Sequence, residues 1–293
     1  MARLCLSLAA MLLLLAAGPA AAAAPSPAGP SHTILIVLEN HEFDEVVDNP
    51  ELPYFNRLAR SGALATSYFG VTHPSLPNYL ALFAGSTFGI AENCTDCVAR
   101  GPNLATQLSR AGVSWRAYMG DLPHPCYAGA SYDSYAKRHN PFAYFPSIAA
   151  VPARCRDVVP ETRLRADLRR RRLPEFSWLT PDLCDDAHDC SLAEADEHLR
   201  ATVPRILRRL GPHGLLVVTF DEGTSDGGCC GLPGGGRVAT VLVGPEVPPA
   251  TEIRRPANHY SLLACLEDRF GLPRLRLARS ALPLAPALFA ATD

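Results

Sequence analysis

The sequence predicts a layered α/β domain built on a parallel sheet, and three observations carry that expectation. Two runs of mostly branched aliphatics, Ile34-Leu35-Ile36-Val37-Leu38 and Leu215-Leu216-Val217-Val218-Thr219-Phe220, are continuous rather than alternating. Strands buried on both faces of a parallel sheet have that character. Strand-like and helix-like segments then alternate along the chain, the pattern of βαβ units. Finally, no internal repeat or composition break divides the residues that follow the leader, so a single domain over 30–293 is expected. A chain of that size buries roughly three-quarters of its unfolded surface.

The first 24 residues are set apart as a signal peptide. Arg3 precedes an apolar stretch over 4–17, then Gly18-Pro19 and a small-residue run over 20–24, with cleavage expected near Ala22 or Ala24. The apolar stretch is short for a bilayer span, with an uncleaved anchor as the alternative. A secreted, soluble chain follows from this, and residues 25–31 read as an irregular lead-in.

After the first strand, residues 53–62 have helical spacing at Phe55, Leu58 and Ala59, with Gly62 as a C-terminal stop. Residues 63–69 read as a short strand. A helix opens at Ser75-Leu76-Pro77-Asn78 and ends at Gly85. Helix 103–111 leads to strand 113–118, helix 162–172 to strand 176–179, and the long helix 193–210 to strand 215–220. Strand 238–243 and helix 260–270 complete the pattern. The glycine-rich stretch 223–236 reads as a loop, since a strand follows it directly.

Ten cysteines include Cys5 in the leader. In an exported chain the default for the rest is disulfides, with Cys94–Cys97, Cys184–Cys190 and Cys126–Cys155 as the expected pairs. Cys229 and Cys230 either bond to each other or pair elsewhere, and Cys265, inside a helical pattern, reads as a buried free thiol. Cys94-x-x-Cys97 has no second motif to complete a zinc site. The formal charge is −2, and Lys137 is the sole lysine among 27 basic residues. The one concentrated basic run, 163–172, suits a solvated helix face. Nucleic acid is therefore not expected as a partner, and membrane contact is at most transient.

Chemistry is signalled where the two apolar strands end. The first runs into Glu39-Asn40 and the second into Asp221-Glu222. Ligands of open α/β sheets bind beyond the carboxyl ends of strands. Three carboxylates and an amide converging there call for a divalent cation to offset their repulsion, with magnesium, calcium, manganese or zinc equally open. The bland alternative is that these groups simply meet solvent. Ser75 heads a helix with proline just inside it, which marks an N-cap. The same position also suits a nucleophile, because a phosphate at a helix start meets free N–H groups.

Six motifs then occur in order: Glu39-Asn40-His41, THPSLPNYLALFAG from Thr72, YAKRHNPF from Tyr135, PDLCDDAHDC from Pro181, TFDEG from Thr219 and NHYSLL from Asn258. Together they resemble the bacterial secreted acid phosphatases of the phosphoesterase family, in the alkaline phosphatase superfamily. Relatives there include phosphatidylinositol 3-phosphatases and phospholipases C. The resemblance runs from about Ile34 to Leu275. It implies an α/β/α sandwich with a mostly parallel central sheet, alkaline-phosphatase-like, and metal-assisted hydrolysis of a phosphate monoester or phosphoinositide; a monomer is expected.

By that resemblance Glu39, Asn40, Asp221 and Glu222 are metal ligands and Ser75 is the nucleophile that forms a phosphoserine. His139 and His188 are catalytic, facing the phosphate. His188 is ringed by Asp185, Asp186 and Asp189, carboxylates that favour its protonated form. His73, Asn78 and His259 are candidates for substrate contact. Two features depart from the pattern: Glu222 where relatives can carry aspartate, and the GGCCG segment of the 223–236 loop. Three rivals stay open. One is a phospholipase C acting on diesters, and another a non-catalytic secreted protein holding a structural ion. The third is a serine esterase built on Gly223-Thr224-Ser225-Asp226-Gly227, whose motif needs a strand leading in and a helix leading out.

Overall fold

The computed structural model describes residues 31–232 and 234–289, so the expected leader lies outside the described residues. Eight strands form one sheet: β1 Thr33–Leu38, β2 Ala63–Ala65, β3 Trp115–Met119, β4 Val158–Pro160, β5 Phe176–Thr180, β6 Leu215–Phe220, β7 Thr240–Val243 and β8 Thr251–Ile253. Their order is β8-β2-β7-β6-β1-β5-β3-β4, and only β7 runs against its neighbours. The main helices are α1 Pro53–Ser61, α2 Ser75–Ala84, α3 Leu104–Arg110, α4 Thr162–Arg170, α5 Leu192–Leu207 and α6 His259–Arg269.

Every residue of β1 and β6 is buried, so both faces of the sheet centre are covered. Helix α1 packs on α5 and α2 packs on α6, which makes the predicted three-layered, mostly parallel architecture. The centre is where the two apolar runs pair, Leu38 opposite Phe220. That register puts the residues after both strands side by side: the Asp221 amide donates to the Leu38 carbonyl at 3.0 Å. The fold thereby creates one acidic rim from two segments far apart in sequence.

Most expected elements form within a residue or two of their predicted ends. Residues 63–69 do not make one strand: β2 joins the sheet, whereas Tyr68–Phe69 pairs with Ala257–Asn258 in a separate two-stranded ladder. Edge strands β4 and β8 went unpredicted because three residues beside prolines carry no readable periodicity. Asn103, Ser191 and Asn258 cap α3, α5 and α6 through their side chains. Helix α2 differs. Its cap position is Pro74, and Ser75 is the first helical residue with no capping bond from its hydroxyl. The N-cap expectation for Ser75 is thus corrected, and its hydroxyl is left for another task. At the far end of α2, Gly85 has φ +70, and a Cβ there would stand 2.6 Å from the Leu275 carbonyl oxygen.

Disulfides join Cys94–Cys97, Cys126–Cys155, Cys184–Cys190 and the adjacent Cys229–Cys230, and Cys265 is a buried free thiol. Among the described residues no helix is long and apolar enough to cross a membrane.

On α5, His198 lies between Asp185 (2.8 Å) and Glu161 (3.1 Å), tying the helix to the 181–190 loop. Burial disfavours its charged form, but the two carboxylates outweigh burial and push the pKa up to about 10. A folded-state value above the unfolded one adds stability that is complete below 6.5 and lost as pH rises through about 10. His198→Gln should therefore flatten the decline of melting temperature over that alkaline window. Parallel melting curves for variant and wild type would refute the linkage.

Candidate active site

The loops after β1 and β6 deliver Glu39, Asn40, Asp221 and Glu222 to one spot, and α2 aims Ser75 at it. Ser75 Oγ lies 3.2 Å from Glu39 Oε2, 3.2 Å from Glu222 Oε1 and 3.4 Å from Asn40 Oδ1. The Asn40 amide N–H donates to Asp221 Oδ1 at 3.1 Å, which locks the two strand ends together. The four residues predicted as metal ligands are therefore gathered around the Ser75 hydroxyl.

Asp186, from the Cys184–Cys190 loop, adds a fourth carboxylate that sequence reasoning had placed only as company for His188. Its side chain is fully buried, and its Oδ2 sits 3.3 Å from Nδ1 of His139. Nε2 of the same ring is 3.2 Å from Glu39 Oε2, so His139 is wedged between two acids. The signal that could have found Asp186 was the DDAHD run itself, three acids on a disulfide-braced loop beside a candidate site.

Four carboxylates buried together are electrostatically costly. Burial, then the neighbouring Asp221 and Asp186, hold Glu39 well above the usual range. Asp186 is raised likewise, mainly by burial. Burial followed by Glu222 pushes Asp221 up to about 8, and burial raises Glu222 against the opposing pull of His73. Three polar atoms here, Asp221 Oδ2, Asp186 Oδ2 and His139 Nε2, are buried without a hydrogen-bond partner. Turned with its nitrogen inward, the Asn40 amide donates to Glu222 (3.1 Å) and Asp221 (3.3 Å); turned with its oxygen inward, it adds another acceptor. Orphaned oxygens, four converging carboxylates and a neutral imidazole together fit a divalent ion. Glu39, His139 and Asp186 alone bring three ligand atoms within 4.8 Å of one another.

The histidines divide by accessibility. His139 is buried and stacks on Tyr79; burial, then Arg138 and His188, hold it well below its ordinary pKa, hence neutral. His188 is partly exposed. Its Nδ1 is 2.6 Å from Asp189 Oδ1, its Nε2 is 3.2 Å from Arg138 Nη2, and its ring centroid is 5.5 Å from that of His139. His73 places Nδ1 2.5 Å from Glu222 Oε2 and Nε2 3.0 Å from the Ser225 carbonyl. Burial opposes its charged form, yet those two acceptors raise its pKa. His73 thus holds Glu222 rather than standing free. Asn78 accepts from the amides of Val71 and Thr72 and donates to the Thr72 and Pro74 carbonyls, bracing the segment that leads to Ser75. His259 is fully buried between the Tyr68 hydroxyl and the Asp221 carbonyl, a support beneath the rim without access to substrate.

Two further supports escaped sequence reasoning. The Tyr79 hydroxyl donates to Glu39 Oε1, leaving Oε2 to face Ser75. Tyr79→Phe keeps the ring stack and loses that bond, so metal affinity or turnover should fall roughly ten- to hundredfold. Wild-type metal titration and turnover in the variant would show that Glu39 needs no such anchor. Glu42 accepts from the amides of Thr224 (3.2 Å), Ser225 (2.8 Å) and Arg237 (3.2 Å), pinning the glycine-rich loop. Gly236 has φ +82, and a Cβ there would come within 2.5 Å of that carboxylate. Ser225 is exposed on this loop with no helix following it, so the serine-esterase motif is not realised.

The fold is shared with solved structures of the alkaline phosphatase superfamily. A superfamily protein from Vibrio parahaemolyticus matches with a TM-score of 0.56 at 13% identity, over 86% of this chain and 70% of that one. The phosphonate monoester hydrolase of Agrobacterium radiobacter matches with a TM-score of 0.58 at 15% identity, over 90% and 78%. The chain belongs to the phosphoesterase family, whose model matches residues 46–273. A phosphatidylinositol-3-phosphatase from Mycobacterium tuberculosis is 34% identical over 258 residues, covering 87% of this chain and 81% of the relative. A phosphate-repressible acid phosphatase from Penicillium chrysogenum is 31% identical over 251 residues. The chain spans only 59% of that fungal relative and 54% of an Aspergillus fumigatus acid phosphatase. The protein is a hydrolase of phosphate esters.

Proposed function

We propose that the chain is an exported, metal-dependent phosphomonoesterase that works through a phosphoserine on Ser75. The observation that carries this is the Ser75 hydroxyl, free of any capping role and 3.2 Å from carboxylates supplied by two different strand ends. Glu39, Asn40, Asp221 and Glu222, with His139 and Asp186 alongside, would hold a divalent cation. Such an ion, when bound, lowers the pKa of a neighbouring hydroxyl and offsets charge on phosphoryl oxygens.

The residues then do the following. Ser75 Oγ passes its proton to Glu222 Oε1, to which it donates at 3.2 Å, and attacks phosphorus in line, forming the Oγ–P bond as the bond to the leaving oxygen breaks. His188, the accessible ring, gives that oxygen a proton, and Asp189 orients the ring through Nδ1. Arg138, beside it, offers its guanidinium to the phosphoryl oxygens. Water next attacks the phosphoserine and passes a proton back to His188 as the Oγ–P bond breaks, and Glu222 returns its proton to the Ser75 oxygen, releasing phosphate and restoring Ser75. His139, neutral and buried between Glu39 and Asp186, would offer a ring nitrogen to the same ion.

Monoesters are favoured over diesters because the relatives bear the names of phosphatases, and the 34% identical relative makes a phosphoinositide a candidate substrate. Export is supported by four disulfides among the described residues. Acid quenching during turnover of a labelled soluble monoester should trap label on the Ser75 peptide. Label elsewhere, or none under burst conditions, would refute the nucleophile.

A further inference from the structure

Away from the acidic rim, a cavity of about 470 Å³ opens where the first turn of α6 meets the chain after it and the tip of the glycine-rich loop. Leu232, Tyr260, Leu277, Ala281 and Leu282 make its lining mainly apolar, and Arg255 stands at its edge. Its size falls within the range of small-ligand sites. The floor connects to the catalytic segment, since Val71, shortly before Ser75, packs with Tyr260, Leu232 and Ala281.

The rim of this cavity is unusual in two ways. Only four large hydrophobic residues are strongly exposed among the described residues, and two of them, Leu277 at 43% and Leu282 at 64%, stand here. Arg255 lines the cavity with them, and Arg276 and Arg279, both exposed, flank Leu277 in the chain. Arg254 and Arg274 are paired with Glu252 and Asp268, but Arg255, Arg276 and Arg279 have no carboxylate partner among the described residues. Arg255 and Arg279 donate only to the backbone carbonyls of Pro283 (3.4 Å) and Arg274 (3.0 Å), and Arg276 stacks over Phe88. Leucines protruding between unneutralised arginines match an anionic bilayer: apolar tips enter the acyl boundary while guanidinium groups stay at the headgroups.

We propose that this face docks the protein on anionic phospholipid membranes, with the cavity receiving part of an acyl chain of a bilayer lipid. The basic run 163–172, most of which lies on α4, does not line this cavity. Docking here sets the membrane beside the segment that carries Ser75. The proposal goes beyond the reading of Ser75 and survives its failure, because the test reads binding and not hydrolysis.

The experiment is co-sedimentation of the full chain with phosphatidylcholine vesicles, with and without phosphatidylglycerol. Wild type should bind the phosphatidylglycerol vesicles and release them as salt rises. Arg255→Gln with Arg279→Gln should weaken partitioning by about fivefold per arginine. Leu277→Ser with Leu282→Ser should abolish it. All variants should keep wild-type hydrolysis of soluble p-nitrophenyl phosphate and an unchanged melting temperature, which separates lost docking from lost folding. Absence of wild-type binding, binding indifferent to phosphatidylglycerol, or binding untouched by both double substitutions would each overturn the proposal. The first of these outcomes would point to a protein partner for the face.

Discussion

Ser75→Ala is expected to lower turnover of a soluble phosphate monoester by roughly 10⁴- to 10⁶-fold, the scale on which loss of a covalent nucleophile is felt. Nothing nearby can replace it. The surrounding oxygens belong to Glu39, Glu222 and Asn40, groups that would themselves be engaged by a cation, and Ser225 faces solvent from a different loop. The effect should appear in kcat, because the substrate phosphate would still meet Arg138 and His188. Stability should scarcely change. Ser75 makes no capping bond at the start of α2, so the usual loss of about 1 kcal/mol for a removed cap does not apply. Ser75→Cys is the informative companion: it keeps a nucleophile but places a larger, softer atom between two carboxylates, so activity should be largely lost. An alanine variant with more than about a tenth of wild-type turnover would end the assignment.

How much of this was legible beforehand depended on the kind of signal. The central strands were readable because β1 and β6 are buried on both faces, and burial on both faces demands unbroken apolar runs. The polar pairs that follow them were readable for the same reason, as the abrupt change from apolar to acidic marks where a strand leaves the core. Asp186 was not, because its role depends on how a disulfide-closed loop folds back under His139, a distance no local pattern encodes. Tyr79 was hidden within an apolar helix, where a buried tyrosine looks like core until its hydroxyl finds Glu39. Asn78 and His259 show the converse: polar residues near a site in sequence can be consumed in holding backbone. Capping was misread at Ser75 because proline stands on both sides of Leu76 and Ser75, and the chain starts its helix one residue earlier than the usual serine pattern implies.

The acidic cluster predicts a pH-dependent contest between protons and a metal ion. In metal-free protein the folded-state pKa of Asp221 is raised from 3.8 to about 8, and Glu39, Asp186 and Glu222 are raised in the same direction. The folded state then binds more protons than the unfolded chain across that interval. Its contribution to stability is complete below the unfolded value and lost as pH rises through about 8. A divalent cation needs the same carboxylates deprotonated, so its stabilisation grows as the protons leave. Melting curves in EDTA and in excess divalent ion should therefore nearly coincide at acid pH and separate as pH rises. At a hundred times its Kd the ion adds about 2.7 kcal/mol, equivalent to roughly 5–10 °C for a chain of this length. EDTA should also abolish hydrolysis, and one of magnesium, calcium, manganese or zinc should restore it. Glu39→Gln should shrink the separation, since it removes one charge from the cluster while keeping its shape. A separation that ignores pH, or full activity in EDTA after exhaustive dialysis, would show that the carboxylates are neutralised by protons alone and that no ion belongs between them.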